Sequence, residues 1–262
     1  MTDDRAKLSR LGFSFRRGGT HTARSMMLDD LGTLLDEVGD PEAPRSAYRE
    51  AAVGQNCLGK RSGNNRRITF TCLSNLYSLE PENVLFRALR FFWSRDAEGR
   101  PLLALLCAYA RDPVLRQSSG FILEIPEGGT VTREEVAKGL DSSFPGRFSR
   151  ATLQSTAQNV NGTWTMAGLL RGKSRKTRAR ARATAGSLAY SLFMGYLRGA
   201  RGESMFRSEY VKLLDCSYPA ALELATEASA AGWIVFNRVG NVVEASFPKL
   251  VSDEELEASG QD

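Results

Sequence analysis

Three arginines alternate with alanines in the run Arg178-Ala179-Arg180-Ala181-Arg182, and upstream of it Arg150, Gln154 and Gln158 recur at intervals of four. Neither set makes or breaks bonds. Guanidinium groups grip phosphate oxygens two at a time, and glutamine amides match the donor and acceptor pattern of base edges. The chemistry offered is recognition of a polyanion. The charge distribution agrees: between Ser142 and Gly202 lie eleven of the 35 Lys and Arg residues and none of the 30 Asp and Glu. The net charge of +5 therefore conceals a strongly basic segment in an otherwise acidic chain, the pattern of a nucleic-acid binder.

Residue types that carry catalysis are scarce. The single histidine, His21, removes Ser-His-Asp triads, Cys-His dyads and most metal sites. Cys57, Cys72, Cys107 and Cys216 form no Cys-x-x-Cys pair and sit among apolar residues, as packing cysteines do. Gly18-Gly19 and Gly128-Gly129 are isolated, with no phosphate-loop lysine, no glycine-rich methyltransferase loop and no carboxylates paired at a catalytic spacing. The expectation is a non-enzyme without cofactor or metal. The longest apolar run, Pro101 to Ala110, is about half the length of a bilayer span. Met1 to Arg10 is too charged for a signal peptide, so a cytoplasmic protein with no membrane partner is expected.

These side chains need elements to hold them. Thr132-Arg-Glu-Glu135 is a capping box that starts a short helix, Arg133 to Leu140. The turn Asp141 to Gly146 breaks it, and Ser149 caps a second helix to about Asn161, with Leu153, Ala157, Val160 and Trp164 as its buried stripe. Arg150, Gln154 and Gln158, flanked by Ser155 and Asn159, then face outward. Helix, turn and helix are the parts of a helix-turn-helix. A strand from Met166 to Leu170, a turn at Arg171-Gly172-Lys173 and a return from Lys176 to Arg182 complete a wing. Period two predicts one shared face for the three arginines of that return, a basic arm along a phosphate backbone.

The same plan recurs downstream: helices at Ala185 to Tyr196, Phe206 to Leu214 and Ala220 to Ala231, then a hairpin from Trp233 to Phe247. Glu223 and Glu227 would repel phosphates, so this module suits packing or protein contact better than DNA, with Arg207 and Arg238 as backbone candidates. Upstream, the amphipathic segments Asp29 to Val38, Arg45 to Val53, Glu82 to Trp93 and Leu102 to Arg111 predict a helical unit, with Asn56 to Arg67 as a polar loop. The fold class expected is mainly α. An N-terminal helical domain (1–125) is followed by a winged helix-turn-helix with its basic arm (126–182), a second winged-helix module (183–250) and an acidic disordered tail (251–262), with short β-hairpins in the two modules.

The opening Phe13-Ser-Phe-Arg-Arg-Gly-Gly19, the element Asn56-Cys-Leu-Gly-Lys-Arg-Ser62 and the block from Phe148-Ser149 to Gly168-Leu-Leu-Arg171 resemble the BrxA family of bacteriophage-exclusion (BREX) defence systems, over roughly residues 10 to 248. The resemblance implies a non-enzymatic, helical double-stranded DNA-binding subunit that works beside a methyltransferase, a phosphatase-like protein and an ATPase. It adds Lys60, Arg61, Arg66 and Arg67 to the DNA-binding candidates read above: Arg147, Ser149, Arg150, Gln154, Gln158, Arg171, Lys173, Arg175, Lys176, Arg178, Arg180 and Arg182. The basic stretch Lys173 to Arg182 is longer than the family's pattern. Alternatives are a winged-helix transcriptional regulator, a protein adaptor within a multi-subunit complex, or a binder of structured RNA, since phosphate contacts do not separate the two nucleic acids.

Overall fold

The computed structural model describes residues 2–16, 18–173, 175–240 and 242–258. Helix α1 (Thr2–Arg10) buries Leu8, and Leu11 and Phe13 follow it into the core, so this charged helix is docked on the fold. A 3-10 turn (Thr20–Thr22) precedes α2 (Leu28–Glu37), which buries Leu31, Leu34 and Leu35 along one stripe. Helix α3 (Arg45–Arg49) passes into a π-turn (Glu50–Gly54) where the sequence predicts continuous helix. Helix α4 (Gly63–Tyr77) starts four residues before the end of the expected polar loop, because the Ser62 hydroxyl caps it by accepting from Asn65 N.

Next come α5 (Val84–Trp93), α6 (Arg100–Arg111) and α7 (Pro113–Ile122). The last was not anticipated. Its signals are Asp112, whose carboxylate accepts from Val114 N and Leu115 N, and Pro113 in the first turn, where a missing N–H costs nothing.

The stretch that follows runs β1 (Thr130–Val131), α8 (Arg133–Ser143), α9 (Arg150–Met166), β2 (Leu170–Arg171) and β3 (Lys176–Arg178). The three strands form an antiparallel sheet in the order β1-β3-β2, with Thr177 opposite both Thr130 and Arg171. Helix α9 extends about one turn past the expected end, to Met166, the first residue read as strand, and stops before Gly168, whose φ of +82° suits glycine.

Helix α10 (Ala185–Leu197) is buried on nearly every side and packs against α5, α6, α12 and α13. The single helix expected from Phe206 to Leu214 is two short ones, α11 (Glu203–Phe206) and α12 (Glu209–Lys212), restarted by the Ser208 cap. Helix α13 (Tyr218–Ala230) leads into the hairpin β4 (Val235–Val239) and β5 (Val242–Ser246). The tail expected to be disordered forms α14 (Asp253–Ala258), held where Arg87 on α5 reaches Glu255 at 2.6 Å and the Leu250 carbonyl at 3.2 Å. Residues 259–262 of that tail lie outside the described residues.

The chain is thus mainly helical with small antiparallel sheets, and its buried side chains form one continuous cluster. Among the described residues no helix is long and apolar enough to cross a membrane.

Candidate nucleic-acid interface

The basic region is positioned from both ends of α8 and α9. The capping box forms as expected: Thr132 Oγ1 accepts from Glu135 N at 3.2 Å, and Glu135 Oε2 accepts from Thr132 N at 2.8 Å. That second bond to the charged carboxylate lowers the pKa of Glu135. Ser149 Oγ accepts from Thr152 N and caps α9. Ala157, Val160 and Trp164 are buried as the stripe predicts, and Trp164 Nε1 donates to Ser118 Oγ on α7 at 2.8 Å. Leu153 is partly buried.

With α9 seated, a groove of about 820 Å³ opens between its outward face, the start of α8 and the β2–β3 turn. Gln158 and Asn159 enter it from α9, Arg133 from α8, and Lys173, Arg175 and Lys176 from the turn. One acid, Glu134, lines it and sits 3.7 Å from Arg133. Two side chains of the turn's described residues are tied down. Arg175 donates to Thr130 Oγ1 at 3.2 Å, and Lys176 Nζ donates to the Gly172 carbonyl at 2.8 Å. Partial burial lowers the pKa of Lys176. At Gly172, φ is +103° and a Cβ would collide with the Arg175 carbonyl oxygen, so only glycine fits. Arg150, at the N-terminus of α9, and Arg171, on β2, are exposed with no acidic partner among the described residues. Arg147 stacks over Phe144 and Phe148, 5.0 Å from each ring centroid, which fixes the loop before Ser149.

Other expected residues stand elsewhere. The proposed arm does not present its three arginines together. Arg178 is only 3% exposed: Nη2 meets Asp215 Oδ2 at 2.9 Å, and Nη1 donates to the carbonyls of Leu169 and Ala179. β3 ends at Arg178, so the period-two register of a strand does not extend to Arg180 and Arg182, and only Arg178 is enclosed. Arg180 is 64% exposed between Glu127 (3.8 Å) and Asp215 (3.9 Å), and Arg182 is 81% exposed with Glu98 at 2.9 Å. Acids distant in sequence thus meet all three. Gln154 is partly buried, with an Oε1 that finds no partner. Of the N-terminal candidates, Lys60 is paired with Asp30 at 2.7 Å and Arg66 donates to the Val53 carbonyl at 3.4 Å. Arg61 is exposed, and Arg67 lines a separate cavity on the α3–α4 surface.

Sequence reasoning missed what covers the second half of α9. The His21 ring is fully buried, with Nε2 2.8 Å from Thr163 Oγ1 and Nδ1 3.0 Å from Asp112 Oδ2. Thr163 Oγ1 also accepts from Met26 N at 2.8 Å, and Asn159 donates to the His21 carbonyl at 3.0 Å. Burial alone would raise the Asp112 pKa, but the His21 ring and the bonds from the Leu115 and His21 amides outweigh it, and the net shift is downward. Asp112, His21 and Thr163 stand in the order of a proton relay, yet all three are buried and the Thr163 oxygen is engaged by a backbone amide, so the set clamps residues 20–26 onto α9. The only sequence hint was a lone histidine among threonines beside a glycine pair. Arg24 continues this surface to α4 through Asn65 Oδ1 at 3.1 Å.

The cysteines are all free, and burial raises the pKa of each, that of Cys107 to about 11, opposite to the shift of an activated nucleophile. Among the described residues no three His, Cys, Asp or Glu side chains are grouped to hold a metal. Compared with known proteins, the chain matches no family model and no curated protein sequence.

Proposed function

We propose that the chain is a double-stranded DNA-binding subunit that works largely through phosphate contacts, in a phage-defence assembly of the BREX type. The carrying observation is the groove in which α9, the start of α8 and the β2–β3 turn bring four cations around one acid. In this reading α7, β1, α8, α9, β2 and β3 make a winged helix with the sheet order β1-β3-β2, the α9 N-terminus enters a groove of the duplex, and the 171–176 turn lies along a strand as its wing. The clamp on α9 leaves its first two turns for base edges. That favours sequence-tolerant binding, with Ser155 in those turns and Gln158 just beyond them as the polar contacts. The assignment to BREX, with its methyltransferase, ATPase and phosphatase-like partners, rests on the sequence resemblance.

The second module suits a protein partner better. Its hairpin tip exposes Val239 (80%) and Val242 (73%), and its third helix exposes Glu223 and Glu227.

The test is a salt titration of binding to random duplex, single strand and duplex RNA. Lys173→Glu and Arg175→Glu are expected to weaken every duplex alike and to reduce the slope of log affinity against log salt by about one per lost contact. Failure to bind any duplex in dilute buffer, or unchanged slopes in both variants, overturns the reading.

A further inference from the structure

A second cavity lies on the N-terminal helices, independent of the DNA reading. Arg45, Ser46 and Arg49 of α3 and Arg67, Phe70 and Thr71 of α4 line an open cleft of about 440 Å³. The spacings i, i+1, i+4 on one helix and i, i+3, i+4 on the other put each set on one face, so two helix faces meet across the space. Three arginines line the cleft and no acid does. Glu80 reaches Arg45 from outside at 3.4 Å, both groups being about half exposed, and Arg49 and Arg67 have no acidic partner among the described residues. Cations that repel one another across a concave surface hold a strong positive potential, which an anion relieves.

The shape adds a second requirement. Phe70 is nearly buried beneath the Arg45 guanidinium, 5.8 Å from its ring centroid, and Val53 adjoins it. Val53 is set by the π-turn 50–54, a local insertion of the kind often found at functional sites, and the turn is pinned where Arg66 takes the Val53 carbonyl. The floor is therefore apolar and the rim triply cationic. The space falls in the range of small-molecule sites and exceeds what a bare phosphate fills.

From this we infer that the α3–α4 cleft binds a phosphate monoester carrying a small organic group, with Arg45, Arg49 and Arg67 forking onto the phosphate oxygens and the attached group resting on Phe70 and Val53. A monoester carries close to two negative charges, which answers three guanidiniums better than the single charge of a diester. Two sources share this chemistry: a free mononucleotide and the 5′-phosphorylated end of a strand.

The experiment titrates the full chain with AMP, adenosine and inorganic phosphate by calorimetry. Expected is saturable AMP binding at least about tenfold tighter than adenosine and tighter than phosphate alone, weakened about tenfold in Arg49→Gln with unchanged thermal midpoint and unchanged affinity for a hydroxyl-ended duplex. Arg49→Lys, which keeps the charge without the fork, should fall between. A duplex gain from a 5′-phosphate that vanishes in Arg49→Gln assigns the strand end. AMP binding without such a gain assigns the free nucleotide. Equal affinity for AMP and adenosine, no saturation by AMP, or an Arg49→Gln variant that binds AMP like the parent overturns the proposal. Loss of duplex binding in Lys173→Glu with AMP binding retained shows that the two sites stand or fall separately.

Discussion

Arg178, Arg180 and Arg182 are chemically identical and read as equivalent in sequence, yet their surroundings give them different work. Arg178 is enclosed, and its guanidinium satisfies two carbonyls and Asp215. Arg178→Ala leaves those acceptors short of donors and Asp215 with only the exposed Arg180, at 3.9 Å, as counter-charge. Because Asp215 keeps some solvent contact, the expected cost is about 2–3 kcal/mol, below that of a fully enclosed pair. Arg182→Ala, on an exposed pair, should stay within about 0.5 kcal/mol. Urea midpoints separate the two; equal midpoints would mean Arg178 is no strut. His21 is a second residue of this kind. The Asp112 carboxyl sits below its ordinary 3.8, so it is ionised in the fold while the unfolded chain already takes up protons. Its contribution is therefore complete above that ordinary value and is lost as pH falls through the lower folded-state value. His21→Gln should flatten this acid-side loss relative to the parent and cost about 3 kcal/mol near neutrality, as expected for one member of a buried polar set. Stability curves from pH 2 to 7 decide it, and parallel curves would remove Asp112–His21 coupling from the account.

Helices were legible where caps and apolar stripes coincide. Thr132, Glu135 and Ser149 announced α8 and α9, and Ala157, Val160 and Trp164 announced the side that α9 buries. What could not be read was the cover on the opposite side, because it comes from residues 20–26, far away in sequence and tied by side-chain hydrogen bonds with no periodic signature. The same tertiary help explains why α9 continues through Asn161, Gly162 and Thr163, weak helix formers that local propensity would end on. Thr163→Val keeps the volume but removes the oxygen shared by His21 and the Met26 amide. An increase in Met26 amide exchange and a loss of about 2 kcal/mol are expected, with the α9 N-terminal amides unaffected. Unaltered protection at Met26 would show that packing alone holds the segment down. The wing misled for a related reason. Alternation of Arg and Ala predicted one extended return to Arg182, but the strand ends at Arg178, and the Asp215 carboxylate that encloses Arg178 arrives from far along the chain.

At the level of the whole chain, composition conveyed a basic middle and acidic flanks but not how they fold together. Acids outside the basic segment reach into it: Glu127 and Asp215 meet Arg180, Glu98 meets Arg182 and Glu209 meets Arg198 at 3.2 Å, while the segment's Lys173, Arg175 and Lys176 gather at the α8–α9 groove. The pieces read as successive modules also share a core. Tyr190 of α10 donates to the Leu85 carbonyl at 3.0 Å, Phe92 of α5 packs against Tyr190 and Trp233, and the Arg178–Asp215 pair ties the small sheet to the segment after α12. Units joined by such buried contacts lose their neighbours' support when one opens, so unfolding should be cooperative across them. The three tryptophans test this well, since Trp93, Trp164 and Trp233 fall in the three successive units expected from sequence. Variants keeping one tryptophan each, with phenylalanine at the other two positions, should differ in overall stability. Within each variant, fluorescence and far-ultraviolet circular dichroism should nevertheless trace one superimposable urea transition. Cutting the chain after Ala183 should leave a fragment without any sharp transition, because α5 and α6 then lose the face that α10 covers. A fragment that unfolds cooperatively, or a Trp164 signal that melts ahead of the dichroism, would mean that the α8–α9 unit stands on its own and that the shared core is incidental to its fold.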